Sequence, residues 1–393
     1  MTPVAEAKKI ISDNSVPLKP LRLPLLQAAG STLAEDIISP IDLPNYPQSS
    51  MDGYAFRYED LQAYTTLEIT GELAAGASEP TSIKAGTAVR IFTGAPVPVG
   101  ADTVVMQERT KIENGKLIIN DDSIAAGSNI RPRGIEIRSG QPALEKDSLL
   151  NPAAVGFLAS LGIESAWVYP LPTVSIIATG NELQAPGQLL AFGQVYDSNS
   201  SLLQAALHQM NIRQIHLYVV KDKLELLVQA LGKALIKSDV VCLTGGVSVG
   251  DYDYVAAAAR ENGIHKLFHK IKQKPGKPFY FGKKEDKLVF GLPGNPASVL
   301  TCFYEYAEPA LKKLSKQASS IKTIHAPITK NFKKPAGLTH FLKGYYDGHS
   351  VTPLPAQESF RLISFARANC LVQIGEETTI CNAGEIVEVH LLP

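Results

Sequence analysis

The 393 residues predict a multidomain α/β protein. Three observations carry that prediction. The chain is too long for one ordinary core. From about residue 169 to 318, apolar strand runs alternate with helical runs, the pattern of a parallel sheet covered on both faces. Short alternating runs with Gly and Pro turns flank that region, as in small β-domains. The division implied is 1–45 plus 136–168 as a linker domain, 46–135 as a β-domain inserted into it, 169–318 as an α/β domain, and 319–393 as a C-terminal β-barrel.

The chain opens with an amphipathic helix over 4–11, after which Pro17, Pro20 and Pro24 forbid one long helix. Pro40, Pro44 and Pro47 stiffen the entry to the inserted domain, whose strands include 66–70 and 88–92. Asn151-Pro152 starts an apolar helix through Val155, Leu158 and Leu161 that ends at Gly162, and this helix is expected to pack on the opening one. In the α/β region, 173–178 is the first strand, Ser198 or Asn199 caps a helix to Met210, and 213–220 is the second strand. Asp222 leads into a helix with apolar residues at Leu224, Leu227, Val228, Leu231 and Leu235. A last strand, 287–292, ends at Pro293-Gly294; Asn295 then caps and Pro296 begins a helix to about Leu314.

The third strand of this region leads into the stretch that organises the rest. Residues 239–243 form a β-branched run suited to burial on both faces, and Gly245-Gly246 bares the backbone where the strand ends. Bare amides turn toward anions, Ser248 adds a hydroxyl and Gly250 a second tight turn, while Asp251 and Asp253 bring carboxylates to the same rim. Such a rim suits a divalent cation bridging to a bound phosphate. Ligands of open parallel sheets bind at the strands' carboxyl ends, where Thr179-Gly180, Asp222, Gly245-Gly246 and Pro293-Gly294 all stand.

Lys plus Arg and Asp plus Glu are equal at 38 each, so no overall field recruits nucleic acid or an acidic membrane, and a small-molecule substrate is expected. The four cysteines show no metal-ligand spacing; Cys242 and Cys302 read as small core residues, and the compartment as reducing and cytoplasmic. No apolar run approaches a membrane span.

The glycine stretch, together with SSMDGYAF (49–56), RIFTGAPVP (90–98), NIRPRG (129–134), ATGNEL (178–183), KPGKPF (274–279) and GLPGNPAS (291–298) in that order, resembles the molybdopterin molybdenumtransferase family, the MoeA-type enzymes related to the gephyrin E domain. The resemblance covers nearly the whole chain. It implies a MogA-like, molybdopterin-binding parallel-sheet domain, an elongated linker domain, and a homodimer whose site is shared between chains. It also implies the activity: molybdate is inserted into adenylylated molybdopterin with the help of Mg2+, and AMP is released. Contacts with other molybdenum cofactor proteins would follow for delivery.

Glu182, Asp222 and Asp253 each lie just past a strand end, and three such carboxylates repel unless a cation sits among them. The resemblance makes them the site carboxylates; each alone would more often be a helix-start residue. Asn181 stands where the family often has another Asp. Lys270 and Lys274, near the rigid Pro275-Gly276 turn with Lys277, are assigned by the resemblance to the anionic substrate, against the commoner fate of a solvated basic face. Pro293 and Pro296 are rigid walls. In the inserted domain, Asp52, Thr93 and Arg131 read by themselves as a turn residue, a strand-end hydroxyl and a surface cation. The resemblance makes Asp52 and Thr93 a second wall of the site, with Arg131 and Glu136 as binding residues. Glu136 departs from the family's Gly-Glu-Asp-Ile, since this chain has Gly134-Ile135-Glu136-Ile137. Two other readings are open: a molybdopterin adenylyltransferase, which an ATP-specific site would mark, and a gephyrin-like scaffold, ranked lower because no long disordered linker is seen.

Overall fold

A computed structural model describes residues 1–77, 81–246 and 254–393, which form two compact units. One comprises residues 1–21, 30–32 and 168–393; the other, residues 22–29 and 33–167.

The larger unit is built on a six-stranded sheet with spatial order Ile215–Val220, Val174–Thr179, Val240–Thr244, Lys287–Leu292, Tyr280–Lys284 and His265–His269. The first four strands are parallel, Tyr280–Lys284 runs antiparallel to them, and His265–His269 pairs antiparallel with Tyr280–Lys284. Every residue of Val174–Thr179 and of Val240–Thr244 is buried, as the unbroken apolar runs predict. Successive side chains enter opposite layers. Ile176, Cys242 and Phe290 pack among one set of helices, including Ser198–Gln209 and Glu308–Leu314. Ile177, Val241, Leu243 and Val289 pack against Leu224–Lys237 and Tyr254–Glu261. The first strand in sequence thus lies between the second and third, so the topological switch point falls between Val174–Thr179 and Val240–Thr244.

Three local expectations are corrected here. The opening helix, Val4–Asn14, buries Val4, Ala7 and Ile11 in the sheet core beside Ala310, Leu311 and Leu314, rather than on helix Pro152–Ser160. That second helix, capped by Asn151 Oδ1 accepting from Ala154 N at 2.9 Å, contacts Leu25–Ala28 instead. Helix Ser198–Gln209 is capped by Asp197, not Ser198 or Asn199; its carboxylate accepts from Ser200 N at 2.9 Å. Asn295 occupies the N-cap position of Pro296–Cys302, but its side chain donates to Ser359 Oγ at 2.8 Å instead of capping. The helix that starts there widens into a π turn, Phe303–Ala307, before resuming as Glu308–Leu314.

The C-terminal strands form a sheet of order Gln273–Lys274, Thr339–Tyr346, Cys370–Ile374, Ile386–Leu391 and Lys322–Pro327. Its first member comes from the α/β region and runs parallel to Thr339–Tyr346, setting Gln273 opposite Thr339 and Lys274 opposite His340.

The smaller unit carries a six-stranded sheet of order Thr103–Met106, Gly53–Phe56, Thr87–Ile91, Leu67–Leu73, Lys116–Ile119 and Thr110–Glu113. Tyr54, Phe56, Leu67, Val105 and Leu117 fill its core. All four cysteines of the chain are buried free thiols. No helix among the described residues is long and apolar enough to cross a membrane.

Candidate active site

The crevice at the switch point is assembled from four strand ends. Thr179, only 4% exposed, donates its hydroxyl to Asp222 Oδ1 at 2.5 Å. Asp222 does not cap the helix Leu224–Lys237, which has no side-chain cap, so the Thr179 bond is its observed role. Asn181 turns its side-chain oxygen to accept from the Asp222 N–H at 3.3 Å. Glu182 is exposed, and its carboxylate folds over Gly180 so closely that a Cβ there would lie 2.8 Å from either oxygen.

Gly245 and Gly246 are required by contact as well as by turn chemistry. Both have positive φ, +83° and +64°, and a Cβ on Gly245 would sit 2.2 Å from the Thr179 carbonyl oxygen. Two neighbouring strand ends touch through bare backbone. Thr244 Oγ1 donates to the carbonyl of the buried Pro293 at 3.3 Å and accepts from Asn199 Nδ2 at 2.9 Å, while the same Nδ2 donates to Gly294 O at 2.8 Å. Asn199 therefore ties the third strand end to the fourth. Ser248, Asp251 and Asp253 lie outside the described residues.

The lysine turn abuts this crevice at Pro293, whose Cγ would be 3.8 Å from a Cβ on Gly276. Lys270 holds a left-handed φ of +71°, its N–H donating to Phe279 O and its carbonyl accepting from Thr2 N, each at 2.9 Å. Lys272 is paired with Glu376 at 2.6 Å, a bond that raises the Lys272 pKa. Among the described residues Lys270, Lys274 and Lys277 make no ion pair. His340, opposite Lys274, is held neutral: burial first, then Lys334 and Lys274, push it down to about 4. Pro296 is the first residue of its helix.

In the smaller unit, Asp52 Oδ1 accepts from both the N–H and the hydroxyl of Thr93, each at 2.8 Å, and these bonds hold its carboxyl below the usual range. Ser49 links that turn to Arg131: Gly94 N donates to Ser49 O at 2.9 Å, and Gln48–Ser49 pairs with Ile130–Arg131. Arg131 and Glu136 line a groove of about 760 Å³ with Leu43, Pro44, Gln48 and Phe157. Asp52 and Thr93 are not among the residues lining it.

Three family descriptions together cover most of the chain: the MoeA N-terminal region (domain I and II) at residues 2–162, a probable molybdopterin binding domain at 175–313, and the MoeA C-terminal region (domain IV) at 325–392. A molybdopterin molybdenumtransferase of Haemophilus influenzae is 36% identical over 395 residues, covering 98% of either chain. The chain belongs to the MoeA family. A Staphylococcus epidermidis molybdopterin molybdenumtransferase is 34% identical over 99% of this chain and 95% of its own. The crystal structure of a molybdopterin biosynthesis MoeA protein from Pyrococcus horikoshii matches with a TM-score of 0.80 at 30% identity, covering 100% of this chain and 99% of that one.

Within this MoeA chain, sequence reasoning placed Thr179 at a strand end of the crevice without its hydrogen bond to Asp222, and it missed Asn199 as the tie between two strand ends. Thr179 carried a usable signal, a hydroxyl at the last position of a buried strand next to a glycine. Asn199 read as a cap.

Proposed function

We propose that this chain is a molybdopterin molybdenumtransferase that inserts molybdate into adenylylated molybdopterin, releases AMP and yields molybdenum cofactor in the cytoplasm. The observation that carries the reading is the switch-point crevice, where Asp222, Glu182 and the Gly245-Gly246 backbone meet in a chain alike end to end with enzymes of that name. The bared amides at 245–246 suit the phosphate groups of the nucleotide, and Pro293 walls them in. Lys274 and Lys270 suit the incoming oxyanion, because ammonium groups with no carboxylate partner among the described residues lower the cost of holding it beside the dithiolene. The dithiolene sulfurs belong to the substrate, so no protein cysteine takes part.

The donors are all oxygens, which fits Mg2+. Among the described residues no three carboxylates, histidines or cysteines converge, but Mg2+ is ordinarily held by one or two carboxylates with substrate phosphates. Glu182, Asp222 and Asp253 would hold it. When bound it supplies positive charge at the phosphoanhydride that breaks. Thr179 keeps Asp222 turned to that position, and Asn181 shapes the loop through the Asp222 amide.

The reading includes a homodimer in which Asp52 and Thr93 of one chain close the crevice of the other, with Arg131 and Glu136 as further binding residues. It also keeps the division at 45/46, 135/136, 168/169 and 318/319. Purified protein given adenylylated molybdopterin, molybdate and Mg2+ should release AMP in step with cofactor formation; ATP-dependent adenylylation of molybdopterin in its place would overturn the assignment. In the same assay, Asp52→Asn and Asp253→Asn chains should each be inactive, and their mixture should recover about a quarter of wild-type activity through random pairing. No recovery would place both residues in one chain's site.

A further inference from the structure

Behind the lysine turn lies a buried polar network that the proposed reaction does not use. Gln273 is completely buried, yet both ends of its amide are satisfied. Its Nε2 donates to Pro275 O at 2.9 Å and to Cys302 Sγ at 3.4 Å, and its Oε1 accepts from the Tyr306 hydroxyl. Burial holds the Tyr306 hydroxyl well above its ordinary pKa, so it remains a donor. The amide therefore has one orientation: turned over, it would set its oxygen against Pro275 O and leave Tyr306 opposite an NH2 group. Tyr306 reaches it from the π turn, Phe303–Ala307.

The turn itself is boxed in. At Gly276, with φ +94°, a Cβ would come within 2.5 Å of Cys302 Sγ and 2.7 Å of Gln273 Nε2. On the other side Lys274 is paired in register with His340. The neighbouring cation cannot stand in for Lys274, because Lys272 is bound to Glu376.

We propose that Gln273, locked in orientation by Tyr306, is a positioning residue that fixes the turn at 274–276 and with it the point from which the exposed Lys274 side chain reaches for oxyanion binding. The proposal rests on the reading of Lys274 as an oxyanion ligand. Gln273 touches no substrate; it acts by holding the carbonyl that immediately follows Lys274.

The test uses Gln273→Met, Tyr306→Phe and the double variant, each assayed for AMP release against molybdate and against the pterin nucleotide, with thermal unfolding alongside. Gln273→Met strands a buried hydroxyl and should lower stability. The double variant removes the stranded hydroxyl while Pro275 O still lacks its donor, and it should recover part of that loss. Its half-saturating molybdate concentration should nevertheless stay raised by about tenfold, since the turn has lost its anchor. Maximal rate and pterin-nucleotide half-saturation should remain near wild type. A purely structural role makes molybdate dependence follow stability, so recovery of both in the double variant overturns the proposal. Lys274→Ala separates the two levels. If it leaves molybdate dependence unchanged, the underlying reading of Lys274 fails. If it raises the half-saturation while the double variant does not, only the role of Gln273 and Tyr306 fails.

Discussion

Replacing Thr179 by valine tests how the crevice controls its carboxylates. The substitution keeps the branched shape and exchanges a hydroxyl for a methyl at a site only 4% exposed. The hydroxyl donates to Asp222 Oδ1 at 2.5 Å, whereas a methyl carbon rests against oxygen at about 3.3–3.6 Å, so the carboxylate is displaced by about 1 Å. A hydrogen bond to a charged group is also lost, about 1.5–3 kcal/mol in general; Asp222 is half-buried and regains some water, which favours the low end. Removing a partner that orients a metal-binding carboxylate typically costs about 10–100-fold in metal affinity. Half-saturating Mg2+ for AMP release should therefore rise by about tenfold at saturating molybdate and pterin nucleotide, and Asp222→Asn should raise it further. If Asp222→Asn shifts the Mg2+ dependence and Thr179→Val does not, the hydrogen bond has no orienting role. If neither does, Asp222 is not a ligand.

Two further outcomes follow from packing and charge. Gly245→Ala combines a left-handed φ with a Cβ 2.2 Å from the Thr179 carbonyl and should lose about 2–4 kcal/mol in denaturant unfolding, while Gly294→Ala, with no atom within 4 Å of its Cβ, should stay within about 0.5 kcal/mol; equal effects would deny the close approach of the strand ends. The buried His390 ring lies 2.7 Å from Glu305 and 2.8 Å from Glu388, and Lys8 lies 2.6 Å from Glu305. Burial alone would lower the His390 pKa, but Glu305 raises it; burial would raise that of Glu305, but Lys8 and His390 lower it. The histidine's stabilisation is thus complete below the unfolded value of about 6.5 and lost as pH rises through its raised native value. That of Glu305 is present above the ordinary glutamate value and lost as pH falls through its lowered one. Melting temperature against pH should fall on the alkaline side in the wild type and lose that slope in His390→Gln; an unchanged slope would exclude the imidazolium.

The parallel sheet was legible because burial on both faces leaves an unmistakable trace: Val240–Thr244 is apolar without interruption. Its ligand-facing end was legible too, since Gly245-Gly246 closes such a run. Where several residues share one local chemistry, the sequence could not choose. Asp197, Ser198 and Asn199 are all good caps, and only the helix geometry selects Asp197 and frees Asn199 to tie two strand ends together. The stripe of the opening helix told that it is buried but not against what, because amphipathicity names no partner. Lys272 and Lys274 are alike in sequence; Glu376, far along the chain, neutralises one of them.

The π turn at Phe303–Ala307 gives this part of the chain a fixed length. A π turn holds one residue more than the α turn it replaces, so deleting a single residue there would return the segment to a regular α-helix with the flanking turns still in phase. Leu311 and Leu314 would keep their places in the core, but Tyr306, inside the turn, would lose its aim at Gln273. Substitution can vary the side chains of this segment one at a time, but its residue count is set by the aim of one hydroxyl and not by the packing of the helix that follows.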